Sequence, residues 1–218
     1  MNAARKIGHL ISAFLLFSNC FCQDQLLKPD LSKRENFTTT NRQITLGNSN
    51  GKPSVHLDER PGDGVTWIKG SSFGQGIIEF DVKGRNVVQQ SFVGIAFHKQ
   101  NDSSYDAVYF RPFNFQSPDS LRKKHCVQYI SLPQFDWFVL RDKFPGKYEN
   151  SLKTTKDPDG WFHVKVIVAN EISVYLDQDN EPSLVVTPLN RYSTGALGFW
   201  VGNGSNGDFA NLTVRNNY

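Results

Sequence analysis

The chain has 218 residues, 24 of them Lys or Arg and 21 Asp or Glu, with 39% hydrophobic and 13% aromatic residues. That length and apolar content suit one domain with a sizeable core. The near balance of charge excludes a general nucleic-acid binder, which needs a strongly basic face, and three cysteines are too few for a disulfide framework.

The first 22 residues read as an export signal. Arg5 and Lys6 form the positive start, Ile7 to Phe17 is mostly apolar, and Cys20-Phe21-Cys22 before Gln23 offers a cleavage site. The apolar run falls well short of the roughly 20 residues that cross a bilayer, and no later segment reads as transmembrane. A lipoprotein acylated at Cys20 is the lesser alternative, because Asn19 is a poor small residue before it. The expected location is therefore periplasmic or extracellular. Loss of Arg5 and Lys6 from the 24 basic residues leaves 22 against 21 acidic ones. Cys126 then stands alone and reads as a small buried apolar side chain. Residues 23–40 are expected to be a lead-in, and 41–218 the folded domain.

From there the chain reads as all-β. Short apolar or alternating runs recur at 43–46, 54–57, 64–68 and 76–82, split by Gly, Asn, Asp and Pro. Residues 92–98 and 105–113 are the strongest pair, and 125–131 follows. Residues 161–169 and 171–176 form a hairpin around Asn170, and 184–186, 195–201 and 208–214 close the chain. No run of useful length has helical periodicity. The segment 132–160 holds Phe135, Trp137, Phe138, Phe144 and Tyr148, and Pro145 and Pro158 disfavour a helix there. It is expected to be an ordered loop that walls a groove. About a dozen strands predict two packed antiparallel sheets.

Alternation then places side chains on faces. Tyr105, Ala107, Tyr109, Arg111 and Phe113 share one face, while Val108 and Phe110 share the other. Leu197, Phe199 and Val201 oppose Gly198 and Trp200; Val93, Ile95 and Phe97 oppose Gly94, Ala96 and His98. The non-core face so carries small residues beside a ring or an imidazole, where a plain solvent face would carry Lys, Glu and Thr. Small residues leave room and rings fill part of it, which is how a shallow groove forms on a sheet.

The segment Phe73-Gly74-Gln75-Gly76-Ile77-Ile78-Glu79-Phe80-Asp81-Val82 resembles an early strand of the concanavalin A-like lectin/glucanase jelly rolls. Phe92 to Phe97 resembles the strand that follows, and Gly195 to Val201 with Phe209 to Val214 resembles their closing pair. The similarity covers residues 40–215 and takes in laminin G-like modules and the exported 3-keto-disaccharide hydrolase-type domains. It implies a two-sheet jelly roll whose concave face handles carbohydrate or polysaccharide. The glucanases' Glu-x-Asp-x-x-Glu motif is incomplete: Glu79 and Asp81 are present, but Gly84 stands at the third position. Retaining glycosidases need two carboxyls about 5 Å apart, so that mechanism is not implied.

No nucleotide, metal or nucleophile motif points elsewhere. The expected binding surface is Tyr109 and Trp200 as stacking rings with Arg111, Gln128 and Arg141 as hydrogen-bonding groups, and Trp137 and Tyr148 beside them. If the groove is instead catalytic, as in a hydrolase or lyase, Glu149 or His98 is the candidate base. Arg141 and Glu149 read equally as a structural clamp. A third reading is a protein-interaction module using the same surface. No cofactor is expected; Asn203, Asn206 and Asp208 could supply oxygens to a structural calcium, but their spacing fits no defined calcium loop.

Overall fold

The computed structural model describes residues 25–49, 51–190 and 192–217; the expected signal segment, with Cys20 and Cys22, lies outside them. In chain order the strands begin with β1 (Gln25–Leu27), β2 (Phe37–Thr40), β3 (Ile44–Ser49), β4 (Lys52–Arg60) and β5 (Gly64–Ile68). They continue with β6 (Gln75–Lys83), β7 (Val93–Asn101), β8 (Ser104–Phe110), β9 (Val127–Ser131) and β10 (Glu149–Asn150). The last are β11 (Trp161–Val168), β12 (Ile172–Leu176), β13 (Leu184–Val186), β14 (Ala196–Val201) and β15 (Ser205–Asn217).

These strands form two antiparallel sheets packed face to face. One runs β13-β12-β11-β6-β15-β4-β3, with β1 added to the end of β15; the other runs β10-β9-β8-β7-β14-β5-β2. Residues 25–40, expected to be a lead-in, thus supply a short strand to each sheet. Each sheet contributes alternate apolar side chains to the space between them. In β6, Ile78, Phe80 and Val82 are buried while Glu79 and Asp81 face outward. Phe199 of β14 stacks on Phe209 of β15 at 4.7 Å and meets Phe80 at 6.5 Å, and Phe110 meets Phe162 edge to face at 5.3 Å. Each such ring contributes roughly 1.5–3 kcal/mol by leaving water. Cys126 is buried and free, as expected of a packing residue.

Two local features depart from the sequence expectation. The segment 132–160 is ordered, but it contains a helix, α2 (Trp137–Lys143), besides β10; a shorter helix, α1 (Ser120–Lys123), precedes β9. The Asp136 side chain caps α2 by accepting from the Val139 amide, and Asp119 caps α1 in the same way from Leu121 and Arg122. Two turns are too short to show a period, and α2 ends before Pro145. The second departure is in β7, whose register shifts between Phe97 and Asn101. His98 lies there at φ 57°, a left-handed conformation that breaks the alternation. The imidazole is carried off the outer face of the sheet and into the interior.

Candidate functional site

Strand pairing lines up Glu149, Gln128, Tyr109, Gly94, Trp200 and Val65 in one row across six strands, β10 to β5. Side chains in such a row project from the same face. Tyr109 and Trp200 start two strand spacings apart, or about 10 Å. Between them Gly94 has no side chain, so the two rings lean together, with centroids 4.8 Å apart at 35°. A Cβ at position 94 would lie 2.1 Å from the Val108 carbonyl oxygen and 2.8 Å from Tyr109 Cβ. The glycine therefore permits both the close approach of the backbones and the contact of the rings.

Over this row, at the end of the sheet where β8 and β14 finish and β5, β7 and β9 begin, lies a cavity of about 510 Å³. Its floor is Tyr109, Trp200, Phe92 and Phe113. Phe92 packs edge to face on Tyr109 and on Phe113, at 6.2 and 5.5 Å. Trp137 and Arg141 of α2 overhang it, and Ile130 and Leu132 close the inner end. The row of small residues formed by Ala107, Ala96 and Gly198 is fully covered and forms no part of the cavity. Trp67 and Tyr105, packed edge to face at 5.5 Å, lie on that side of the sheet. The open space therefore belongs to the end of the sheet and its loops, and not to the strand middles that alternation singled out.

On one side of the cavity stand two guanidinium groups and an imidazole around a single carboxylate. Arg141 grips Glu149 with both arms, Nε to Oε1 at 3.0 Å and Nη2 to Oε2 at 2.6 Å. His125 Nδ1 lies 2.7 Å and Arg111 Nη1 3.9 Å from Glu149 Oε2; the His125 nitrogen is off hydrogen-bond alignment. Burial pushes the Glu149 pKa up, but the Arg141 hydrogen bonds and charge, with His125 and Arg111, outweigh it and leave it below its ordinary value. Desolvation holds His125 below its ordinary value, against the pull of Glu149. Arg111 donates to the His125 carbonyl at 3.0 Å, to Tyr109 Oη at 2.7 Å and to Gln128 Oε1, and its guanidinium lies 4.9 Å over the Tyr109 ring. The Tyr109 hydroxyl donates in turn to Gln128 Oε1 at 3.1 Å. Burial pushes the Tyr109 pKa up to about 12, so the phenol stays neutral.

The opposite wall is acidic. Arg42, itself buried, donates to the Gly62 and Gly202 carbonyls at 2.7 and 2.9 Å and so ties the 61–63 loop to the turn after β14. Asn203 Oδ1 accepts from the Gly62 amide at 2.7 Å, and Asp63 Oδ1 accepts from the Asn203 amide at 3.1 Å. Asp63 is exposed as a residue, yet its carboxyl faces the cavity. Desolvation there holds its pKa above the ordinary value, and the charge of Asp136 adds to this.

Of the residues expected from sequence, Tyr109, Arg111, Trp137, Arg141 and Trp200 all line this cavity. Tyr109 and Trp200 are only 2% and 3% exposed, so they form the floor and offer edges, whereas Trp137 is 46% exposed. Gln128 and Glu149 lie in the same row, buried and engaged by Arg111 and Arg141. Two residues are elsewhere. His98 is buried against Asp106, with Nδ1 2.8 Å from its carboxylate and Nε2 2.7 Å from the Gly74 carbonyl. Both ring nitrogens are occupied, and the same carboxylate accepts from Tyr129 and Ser131. Tyr148 points to the face opposite Glu149 and packs on Tyr129 and Phe144 at 6.0 and 5.8 Å. Asn203 and Asp208, named for calcium, take protein partners, the Gly62 amide and His56 Nδ1. Among the described residues no group of three or more His, Cys, Asp or Glu is placed to hold a metal ion.

The sequence reading missed Asp63, Asn114, Arg122, His125 and Asp136, which also line the cavity. Arg122 and His125 belong to the basic run Arg122-Lys123-Lys124-His125, whose pattern is that of any solvated loop tip. Only Asp136, as a helix cap ahead of an apolar pair, carried a local signal.

No protein-family model matches the chain, and no curated protein is similar to it in sequence. Solved structures are similar in fold. A carbohydrate-binding module, CBM66, from Bacillus subtilis is 14% identical with a TM-score of 0.56, over 82% of this chain and 95% of that one. A Bacillus subtilis protein of unknown function with a galectin-like fold is 10% identical with a TM-score of 0.57, over 88% and 96%. The exoplasmic/lumenal domain of VIP36, in its Ca2+/Man3GlcNAc-bound form, is 11% identical with a TM-score of 0.53, over 84% of each chain. At this level of identity the likeness defines the class of fold: an antiparallel two-sheet sandwich, the concanavalin A-like jelly roll.

Proposed function

We propose that this protein binds carbohydrate in the cavity at the end of the seven-stranded sheet. The observation that carries the reading is the cavity's make-up: aromatic edges below, an exposed indole above, and fixed polar groups around the sides. Sugars are amphipathic, and C–H faces lie against rings while hydroxyls need donors and acceptors held in place. Arg141, held by its two bonds to Glu149, and Asp63, which accepts from the Asn203 amide, supply such groups. The volume fits a sugar unit or two by the usual range of ligand sites, and similarity in fold to CBM66 and VIP36 supports the same reading.

The catalytic alternative draws no support from its named bases. Glu149 has both oxygens engaged by Arg141 and a pKa held below its ordinary value, which makes it a weak base, and His98 is sealed from the cavity with both nitrogens engaged. Export through the 1–22 segment belongs to the proposal; no described helix is long and apolar enough to cross a membrane. The mature chain is then expected to begin at Gln23, which terminal sequencing of the exported protein checks.

A glycan array probed with the full chain, run beside a hydrolysis screen, tests the proposal. Binding without turnover is expected, weakened roughly three- to tenfold in Trp137→Ala. Absence of binding across the array contradicts it, as does turnover that Glu149→Gln abolishes.

A further inference from the structure

The two long walls of the cavity carry opposite charge. Arg111, Arg122 and Arg141 line one of them, with Glu149 the carboxylate behind. Three guanidinium groups against one carboxylate leave that wall two positive charges in excess. Arg141 uses Nε and Nη2 on Glu149, and its Nη1 has no protein acceptor among the described residues. Arg122 is exposed and pairs with no acidic side chain among the described residues. Guanidinium groups offer paired N–H donors that match the oxygens of a carboxylate or sulfate. Asp63 faces them from the β5 side, and Asp136, the cap of the helix that carries Arg141, adds a second carboxylate to the lining; carboxylates accept hydroxyl protons and repel anions.

Building on the carbohydrate reading, we propose that the ligand is an acidic glycan. Its carboxylate or sulfate sits among Arg111, Arg122 and Arg141, and its hydroxyls turn toward Asp63 and Asp136. The acidic wall fixes the direction in which such a sugar enters, since the anionic group is favoured at one end and disfavoured at the other. A neutral sugar would leave the free N–H groups of Arg141 and Arg122 to water and gain nothing from them.

Calorimetric titration of the full chain with matched ligands decides this. Oligogalacturonates and alginate oligosaccharides form the carboxylate arm, each beside its carboxyl-reduced counterpart. Chondroitin sulfate fragments beside their desulfated forms make the sulfate arm, and neutral gluco- and manno-oligosaccharides complete the set. An acidic member is expected to bind about tenfold or more tightly than its neutral counterpart, with the preference shrinking in high salt. Arg122→Gln should cut that affinity roughly threefold or more without changing thermal unfolding, because the side chain is exposed and unpaired. Equal or tighter binding of the neutral counterparts overturns the acidic ligand and leaves carbohydrate binding standing. Binding to none of the ligands overturns both.

Discussion

Glu149 takes its character from its neighbours. Alone, a carboxyl this buried would drift toward the neutral form; here Arg141 from α2, Arg111 after β8 and His125 before β9 surround it and keep it charged. A folded-state pKa below the ordinary value means stability that is present above pH 4.5 and lost as pH falls through the folded value. Wild type should therefore be more stable than Glu149→Gln at pH 7, by about 1–3 kcal/mol. That gap should close as the pH falls below 4.5; chemical denaturation at several pH values measures it, and a constant gap would contradict the ion-pair account. The Arg141–Glu149 clamp was open to sequence reasoning, since opposite charges on one short ordered segment tend to meet. The position of His98 was not. Alternation put it on the outer face, and nothing in Phe97-His98-Lys99 marks the left-handed turn that moves it inward.

Among the elements, β7 sets the floor of the site. Its Gly94 separates Tyr109 from Trp200 without filling the gap, and its neighbours press against the glycine from both the backbone and the side-chain side. Gly94→Ala should cost roughly 1–3 kcal/mol of stability through overpacking and should weaken glycan binding by tilting the two rings apart. Thermal unfolding and titration of the same variant check both halves. An alanine variant with unchanged stability would contradict the packing described. The strands themselves were legible because period-two alternation runs through most of them. Helix α2 was not, since seven residues make too few turns for a period; its Asp136 cap was the one usable sign. That helix hangs Trp137 and Arg141 over the cavity, so the miss at the level of the element became a miss in the shape of the site.

At the scale of the molecule, no disulfide among the described residues ties the two sheets together. Cys126 is buried, free and the one cysteine among the described residues, with burial pushing its thiol up to about 11. Reductant should leave the Tm unchanged, and iodoacetamide should label the Cys126 peptide only where the chain unfolds; rapid native labelling would contradict the packing. The two-sheet class was readable from the sequence because each strand carries its own pattern. The cavity was not, because its walls come from 61–63, 109–114, 122–125, 136–141 and 200–203, which only the folded topology brings together. A crystal structure with the tightest-binding oligosaccharide shows where the glycan sits. A sugar ring is expected between Trp137 and the Tyr109–Trp200 floor, with hydroxyls or an acid group on Arg111 and Arg141 and hydroxyls alone on Asp63. A glycan bound on the outer face of the eight-stranded sheet, or anywhere outside this cavity, would contradict that placement.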